Sequence, residues 1–209
     1  MKRLILALDV YEKETALKVA GKTAEYLWAL KINWPLILGS GLGIIGELKK
    51  ETGLPVIADL KLADIPNTNR LIAGKVFNAG ADYIITHGFT GRDSVKAVME
   101  LGDVIMVTEM SHPGAREFIQ PITDRLVELA NELEPFGIIA PATRPERVAY
   151  IRRRLNGDIK ILTPGVGAQG GSARRVLEAG ADYIIVGRSI YTSENPTESA
   201  KRFHEEIKG

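Results

Sequence analysis

The sequence contains no cysteine, so disulfide bonds, thiolate nucleophiles and metal sites built on sulfur are all excluded. It also lacks an excess of charge of either sign, because 27 Lys and Arg residues balance 26 Asp and Glu residues and leave a net charge of +1. A chain with this balance has no electrostatic field with which to hold nucleic acid or an anionic membrane. We therefore expect neither nucleic acid nor a membrane among its partners.

Long apolar runs are also missing. No stretch approaches the roughly 20 apolar residues that a membrane-spanning helix needs. The run from Leu4 to Leu8 is interrupted at Asp9, so it is too short for the core of a signal peptide, and we expect a cytoplasmic protein. The composition, with 45% hydrophobic and 25% charged residues, is that of a globular protein. Since no low-complexity linker interrupts the chain, we expect residues 1–209 to form a single domain.

Eight short apolar, β-branched runs recur along the chain, each followed by a helical pattern. They lie near residues 4–9, 27–32, 55–61, 82–87, 103–109, 137–140, 159–163 and 182–187. Their nearly continuous apolar character is typical of parallel strands that are covered on both faces. The segment Ala-Gly-Ala-Asp-Tyr-Ile-Ile at 79–85 recurs at 179–185, four predicted strands later. A unit repeated after half of eight strands favours a closed (β/α)8 barrel, the TIM barrel, over an open sheet.

Capping signals predict where several helices begin and end. Asn195-Pro196-Thr197-Glu198 combines a capping residue, a first-turn proline and a capping-box glutamate. Arg144-Pro145 is expected to open another helix, which Asn156-Gly157 would close. Asn67-Thr68 can cap the helix that follows the third strand.

Charged residues gather at the ends of the first three predicted strands, where the active site of such a barrel lies. Asp59 and Lys61 are two residues apart in the third strand, so both side chains should leave the same face. Asp64 follows beyond the strand end, and the first two strands end at Asp9 and Lys31. An isolated Asp-x-Lys pair would favour a structural salt bridge, but this concentration of charge favours a functional cluster.

Glycine-rich segments follow the last two predicted strands, from Thr163 to Gly171 and from Val186 to Ser189. Loops at these two places form the usual phosphate site of the barrel fold. Glycines let backbone N–H groups approach phosphate oxygens, and the planar guanidinium of Arg188 can bind two of them. A glycine-rich connection with a surface arginine is the alternative, which the location makes less favourable.

The remaining strand ends include His87, Glu109 and Ser111. The three histidines have no metal-ligand spacing, so we predict no metal site built on them.

The decapeptide from Asp59 to Thr68, which reads Asp-Leu-Lys-Leu-Ala-Asp-Ile-Pro-Asn-Thr, resembles the signature of the orotidine 5′-monophosphate (OMP) decarboxylase family without a gap. The resemblance spans the whole chain, with the short loops of archaeal members. It rests further on Leu8-Asp9, Leu30-Lys31, Ser111-His112-Pro113-Gly114, Pro164-Gly165 with Gln169, and Gly187-Arg188. It implies an enzyme that converts OMP to uridine monophosphate (UMP) and carbon dioxide in de novo pyrimidine biosynthesis, without a cofactor or metal ion.

The resemblance implies a role for each residue around the reacting ring. Lys61 would protonate the ring carbon that loses carbon dioxide, and Asp59 would lie beside the departing carboxylate. Lys31 would hold Asp59 and the ribose. Asp9 would bind a ribose hydroxyl, and Ser111 would contact the pyrimidine. These roles fit the chemistry, since a fixed ammonium can stabilise a carbanion as it forms and then protonate it.

The resemblance also implies a phosphate site and a shared active site. Gln169, Arg188 and the N–H of Gly187 would hold the phosphate, and a loop that begins at Pro164 would close over it. The enzyme would be a homodimer in which each chain contributes three residues to its neighbour's site: Asp64, Ile65 and Thr68.

Two other functions remain open. Enzymes that decarboxylate 3-keto-L-gulonate 6-phosphate, or act as hexulose-6-phosphate synthases, share the Asp-x-Lys-x-x-Asp spacing. They need magnesium, held partly by a glutamate at the second strand end, where this chain has Lys31, and the change from acid to base argues against a metal. A non-catalytic barrel that binds a nucleotide phosphate would account for Arg188 and Gln169 but leaves the charged cluster unexplained.

Overall fold

A computed structural model describes residues 2–208; Met1 and Gly209, the predicted ends of the domain, lie outside the described residues. Eight parallel strands form a barrel in chain order, which closes because the last strand pairs with the first. The strands are β1 Leu4–Leu8, β2 Ala29–Asn33, β3 Val56–Leu62, β4 Tyr83–His87, β5 Asp103–Val107, β6 Gly137–Ile139, β7 Lys160–Pro164 and β8 Tyr183–Val186. The eight predicted strands and the (β/α)8 barrel are confirmed.

Helices alternate with the strands and cover the outside of the barrel. They are α1 Lys13–Thr23, α2 Trp34–Ser40, α3 Ile44–Thr52, α4 Pro66–Asn78, α5 Arg92–Met99, α6 Ala115–Phe118, α7 Thr123–Leu133, α8 Pro145–Arg152, α9 Ala173–Glu178, α10 Arg188–Tyr191 and α11 Pro196–Glu206. Single turns of 3-10 helix lie at Ala24–Tyr26, Gly88–Thr90 and Gln120–Ile122. Within residues 2–208, no helix combines the length and the apolar character that crossing a membrane requires.

Alternate residues of each strand pack on the two sides of the barrel wall. In β1, Ile5 and Ala7 pack with inward residues of other strands, whereas Leu6 and Leu8 pack with helix residues such as Ala16. All five residues of β1 are buried as a result. Covering on both faces explains why the strands are apolar throughout rather than in alternation.

Four aromatic residues fill the barrel interior at the amino ends of the strands. They lie at the starts of β2, β4, β6 and β8, as expected for one layer of a barrel core built from alternate strands. The ring centroid of Trp28 is 4.1 Å from that of Tyr183, and those of Tyr83 and Phe136 are 4.4 Å apart. The interior is therefore closed at this end, which leaves the carboxyl ends of the strands for a site.

The repeated segment places Asp82 and Asp182 in equivalent positions just before β4 and β8. One carboxylate oxygen of Asp82 accepts the first N–H of β3 at 2.8 Å, and the other binds Lys49 Nζ on α3 at 2.8 Å. Asp182 accepts an N–H of β7 at 2.8 Å and pairs with Arg152 on α8. Each aspartate thus ties the preceding strand to an outer helix. The repeat is a structural unit used once in each half of the barrel, in agreement with the prediction.

Two of the predicted helix boundaries differ in the structure. Asn195 caps α11 as predicted, since it accepts the N–H of Glu198 at 3.2 Å. The prediction that Asn67-Thr68 caps α4 is wrong, because Pro66 takes the first helical position and both residues lie inside the first turn. Helix α8 opens at Pro145 as predicted but ends at Arg152, before Asn156-Gly157.

Candidate active site

A cavity of about 240 Å³ opens at the carboxyl ends of the strands. It is lined by most of the predicted site residues: Asp9, Lys31, Asp59, Lys61, Ser111, Pro164, Gln169, Gly187 and Arg188. Apolar side chains from three inward strand positions, Ile85, Ile139 and Ile185, line the same cavity. An apolar wall facing a few convergent polar groups is typical of a small-molecule site.

The backbone of β3 is irregular where it carries the predicted pair. The register with β4 shifts between Ala58 and Leu62, and Lys61 has a φ of 46°, in the left-handed region. A side chain other than glycine is strained there by roughly 1–2 kcal/mol. The Nζ of Lys61 is nevertheless 2.7 Å from Oδ1 of Asp59, so the two side chains meet as predicted. Strain of this kind is characteristic of functional positions.

Asp59 binds two lysines at once. Its Oδ2 lies 2.7 Å from the Nζ of Lys31, and its Oδ1 lies at the same distance from the Nζ of Lys61. The Nζ of Lys31 is also 3.6 Å from Oδ1 of Asp9, so that opposite charges alternate across three strand ends. The two lysines differ in exposure, since 40% of the Lys61 side chain is accessible but only 6% of the Lys31 side chain. Both lysines line the cavity, and Lys61 is the more accessible of the two to a ligand.

The same alternation keeps the buried groups ionised. Burial by itself would lower the pKa of Lys31, but the carboxylates of Asp59 and Asp9 outweigh burial and raise it. Burial would likewise raise the pKa of Asp59, but the two neighbouring ammonium groups lower it below the usual value. Near neutral pH both groups are charged, because each stabilises the charged form of the other.

Asp64, Ile65 and Thr68 do not line the cavity of their own chain. Asp64 lies past the end of β3 and is exposed, with no salt bridge to any group within residues 2–208. Ile65 is also exposed, and Thr68 lies in the first turn of α4. Their predicted contribution to a neighbouring subunit stays a prediction.

The loops after β7 and β8 form the opposite wall of the cavity. In the turn after Pro164, the N–H of Gly171 donates to the carbonyl of Gly165 at 3.0 Å. A Cβ atom on Gly171 would lie 2.6 Å from that carbonyl oxygen, so only glycine fits. Ser111 Oγ donates to Gln169 Oε1 at 3.0 Å, which joins this turn to the loop after β5. Predicted ligand-binding residues from separate loops are thereby brought together.

One polar residue of the cavity was not predicted, and one predicted strand-end charge lies elsewhere. Asn33 lines the cavity and donates from Nδ2 to Oδ1 of Asp9 at 2.8 Å. It follows Lys31 by two residues, so the alternation of the strand could have identified it. Glu109, in contrast, is fully buried outside the cavity, where it binds Arg144 at 3.3 Å and Arg147 at 2.9 Å. Strand β5 ends at Val107, which leaves Glu109 free to turn toward the outer helices.

His87 ends β4 and is buried, and its Nδ1 has no hydrogen-bond partner within the described residues. Burial, together with the positive charge of Lys61, lowers the pKa of His87 from 6.5 to about 4. His87 is therefore neutral at pH 7 and adds no charge to the cluster.

The free energy of unfolding should fall as the pH is lowered from about 6.5 to 4, since His87 takes up its proton earlier in the unfolded chain than in the folded one. The full effect is at most about 3 kcal/mol. Urea unfolding at pH 7 and pH 4.5 should show a smaller difference for His87→Gln than for the parent protein, with His112→Gln as a control at an exposed position. Equal pH dependence in His87→Gln and the parent would show that His87 titrates alike in both states.

A barrel with alternating buried charges at the ends of β1–β3, facing glycine-rich loops after β7 and β8, has the architecture of a (β/α)8-barrel enzyme that acts on a small molecule. The chain belongs to the orotidine 5′-phosphate decarboxylase / HUMPS family, whose model matches residues 2–203. This confirms the predicted family.

Individual relatives agree with the family. The chain is 76% identical over 205 residues to the orotidine 5′-phosphate decarboxylase of Thermococcus kodakarensis, covering 98% of this chain and 96% of that protein. The crystal structure of orotidine 5′-phosphate decarboxylase from Pyrococcus horikoshii superposes with a TM-score of 0.95 at 66% identity, covering 99% of both chains. The enzyme from Methanocaldococcus jannaschii, solved with the inhibitor BMP, gives a TM-score of 0.95 at 48% identity over the full length of both chains. These relatives place the chain among the carboxy-lyases.

Proposed function

We propose that this protein decarboxylates OMP to UMP and carbon dioxide, a step of de novo pyrimidine biosynthesis, without a metal ion or cofactor. The observation that carries the proposal is the chain of contacts from Lys31 through Asp59 to Lys61, each 2.7 Å long, beside the cavity. The high identity to relatives that carry the name of this activity supports the choice of substrate. We further propose that residues 1–209 act as a single catalytic domain.

In this proposal the reacting ring lies against Lys61 and Asp59. The bond to the carboxylate breaks, carbon dioxide leaves, and the electron pair remains on the ring carbon. The ammonium of Lys61 stabilises that charge as it forms, donates a proton to the carbon, and regains one from solvent. Lys31 is too deeply buried to share this role, so it holds Asp59 and thereby fixes the position of Lys61.

The magnesium-dependent members of the family are the nearest alternative. The ammonium of Lys31 lies 2.7 Å from a carboxylate oxygen of Asp59 and 3.6 Å from one of Asp9. It thus occupies the place between two carboxylates where a divalent cation would bind, and magnesium would have to displace it. Removing two charges from water is costly. Nucleotide binding alone gives no reason to bury the Lys31–Asp59 pair at that cost.

A direct assay tests the proposal. We expect purified protein dialysed against EDTA to convert OMP to UMP at the same rate as untreated protein. The rate is measured as the loss of OMP absorbance. Activity that disappears with the chelator and returns with magnesium would favour the magnesium-dependent group. Binding of UMP without any turnover of OMP would favour the non-catalytic barrel.

We propose that Arg188, Gln169 and the N–H of Gly187 hold the phosphate, and that Ser111 meets the pyrimidine. Arg188 is exposed at the rim of the cavity, where its side chain is free to bind an anion. The turn that begins at Pro164 packs against α10, since the N–H of Ala168 donates to Ser189 Oγ at 3.0 Å.

Arg188→Ala should lower kcat/KM for OMP strongly and lower that for orotidine, which has no phosphate, only slightly. The planar guanidinium has nothing to hold in the second substrate, so its loss costs little there. The matched control is Arg174→Ala, because Arg174 is an exposed arginine outside the cavity that pairs with Glu178. Equal losses for both substrates would remove Arg188 from the phosphate site.

We also propose a homodimer in which Asp64, Ile65 and Thr68 complete the site of the partner subunit, while Asp9 and Lys31 bind the ribose within the chain. Ile65, just before α4, is 64% exposed, and Leu71, on α4, is 65% exposed. Exposed apolar side chains that form a large patch are typical of a surface that a partner covers. Asp64 lies beside these two side chains in sequence and forms no salt bridge within residues 2–208.

A further inference from the structure

The main chain of Asp64 is held by two buried polar side chains. Asn69, on α4, is 0% exposed, and its Nδ2 donates to the carbonyl of Asp64 at 3.1 Å while its Oδ1 accepts the Asp64 N–H at 3.3 Å. Ser94, on α5, is also buried and donates from Oγ to the same carbonyl at 2.5 Å. The two side chains are joined to each other, since Asn69 Nδ2 donates to Ser94 Oγ at 2.8 Å.

Within the part of the chain that the structure describes, every hydrogen bond of these two side chains goes to the Asp64 backbone or to the other side chain of the pair. Burying an amide and a hydroxyl is costly unless their hydrogen bonds are made. Among the described residues the pair therefore has one external partner, the peptide groups of Asp64.

The Asp64 carboxylate itself has no comparable support. It is exposed, and its hydrogen bond within residues 2–208 is a local one, accepted by Oδ1 from the N–H of Ile65 at 2.7 Å. The position of the carboxylate is thus set by its main chain, and the main chain is set by Asn69 and Ser94.

We propose that Asn69 and Ser94 are positioning residues that fix the Asp64 backbone, so that its carboxylate enters the active site of a second copy of this chain at a defined place. This inference rests on the proposed function, in which Asp64 completes the neighbouring site. Holding a reacting constellation in place matters because a misplacement of about 1 Å can cost on the order of a hundredfold in rate.

Asn69→Ala should lower kcat by roughly tenfold to a hundredfold. KM for OMP should stay within about threefold of the parent value, because the substitution does not change the residues proposed to bind the phosphate in both the ground state and the transition state. In an Asp64→Ala background the same substitution should lower kcat little further, since residues that act through one group are not additive. Ser94→Ala should act in the same direction with a smaller effect, and it tests the proposal even where Asn69→Ala fails to fold.

Thr23→Val is the matched control. Thr23 is a buried polar residue on α1, away from the cavity, whose Oγ1 donates to the carbonyl of Val19 at 2.8 Å. Its replacement should lower stability and leave kcat unchanged. Asn69→Ala should show the opposite pattern. Its fractional loss of kcat should exceed the fraction of protein that is no longer folded.

Mixed dimers provide the sharpest readout. Asn69→Ala chains refolded together with Lys61→Ala chains should regain activity, because one site then combines an intact Lys61 with an Asp64 whose support is intact. A substitution that merely weakened its own chain would not be rescued in this way.

The outcomes separate the two proposals. If the Lys61→Ala and Asp64→Ala mixture regains activity but the Lys61→Ala and Asn69→Ala mixture does not, the positioning role is overturned and the shared site stands. If neither mixture regains activity, the shared site is overturned, and non-additivity of Asn69→Ala with Asp64→Ala still decides whether Asn69 acts through Asp64. Additive losses in kcat would overturn the positioning role in either case.

Discussion

Lys61→Ala should abolish turnover of OMP while leaving the binding of UMP largely intact. The substitution removes both the proton donor and the positive charge that faces the carbanion, but it touches no residue proposed to hold the phosphate. Loss of one preorganised charge from an active site costs on the order of a hundredfold to a thousandfold in kcat, and loss of the proton donor adds to that. Steady-state kinetics and UMP titration by calorimetry measure the two effects separately.

The control for this variant is Lys13→Ala. The Lys13 side chain is 42% exposed and lies 3.2 Å from Glu47, so it resembles Lys61 in exposure and in having a carboxylate partner. Its loss should change neither turnover nor binding. A Lys61→Ala protein that keeps more than about a tenth of the parent turnover, a cost below roughly 1.4 kcal/mol, would falsify the role assigned to Lys61.

A mixture of two inactive variants should regain activity if the active site is shared. Lys61→Ala and Asp64→Ala homodimers should each be nearly inactive. In a mixed dimer, one site combines Lys61 of one chain with Asp64 of the other and is intact, while the second site carries both substitutions. Random mixing makes about half of the dimers mixed, so roughly a quarter of all sites should work.

The two variants should be unfolded together, refolded and assayed, with differently tagged chains to prove exchange. Lys61→Ala refolded alone, and Asp64→Ala refolded alone, provide the baselines. If the mixture is no more active than the sum of these baselines despite proven exchange, Asp64 acts within its own chain and the shared-site proposal fails.

Much of the fold was predictable because it depends on local pattern. Each apolar run became a strand since both faces of a parallel barrel are covered, and the repeat around Asp82 and Asp182 marked the two halves. The capping signal at Asn195 succeeded because all of its hydrogen bonds lie within one turn. The signal at Asn67 failed because Pro66, one residue earlier, was the better helix start.

The candidate site was predictable where neighbouring residues of one strand form it. It was less predictable where the local backbone conformation determines the position of a side chain. Alternation along β3 placed Asp59 and Lys61 together but gave no sign of the left-handed backbone at Lys61. Glu109 was grouped with the strand ends because the true end of β5, two residues earlier, is not marked by any breaker. Apolar lining residues such as Ile139 cannot be separated from core residues by sequence, since both occupy inward strand positions.

The two halves of the barrel, each of which contains one copy of the repeated segment, contribute different groups to the site. The alternating charges all come from β1–β3, in the first half. The side chains that we assign to the base and the phosphate, Ser111, Gln169 and Arg188, all follow strands of the second half. In our proposal the first half thus supplies the reactive groups and the ribose contacts, and the second half supplies the contacts to the base and the phosphate. Substitutions in the segments that follow the strands of the second half could therefore change which base or phosphate group binds, while the reactive charges of the first half stay the same.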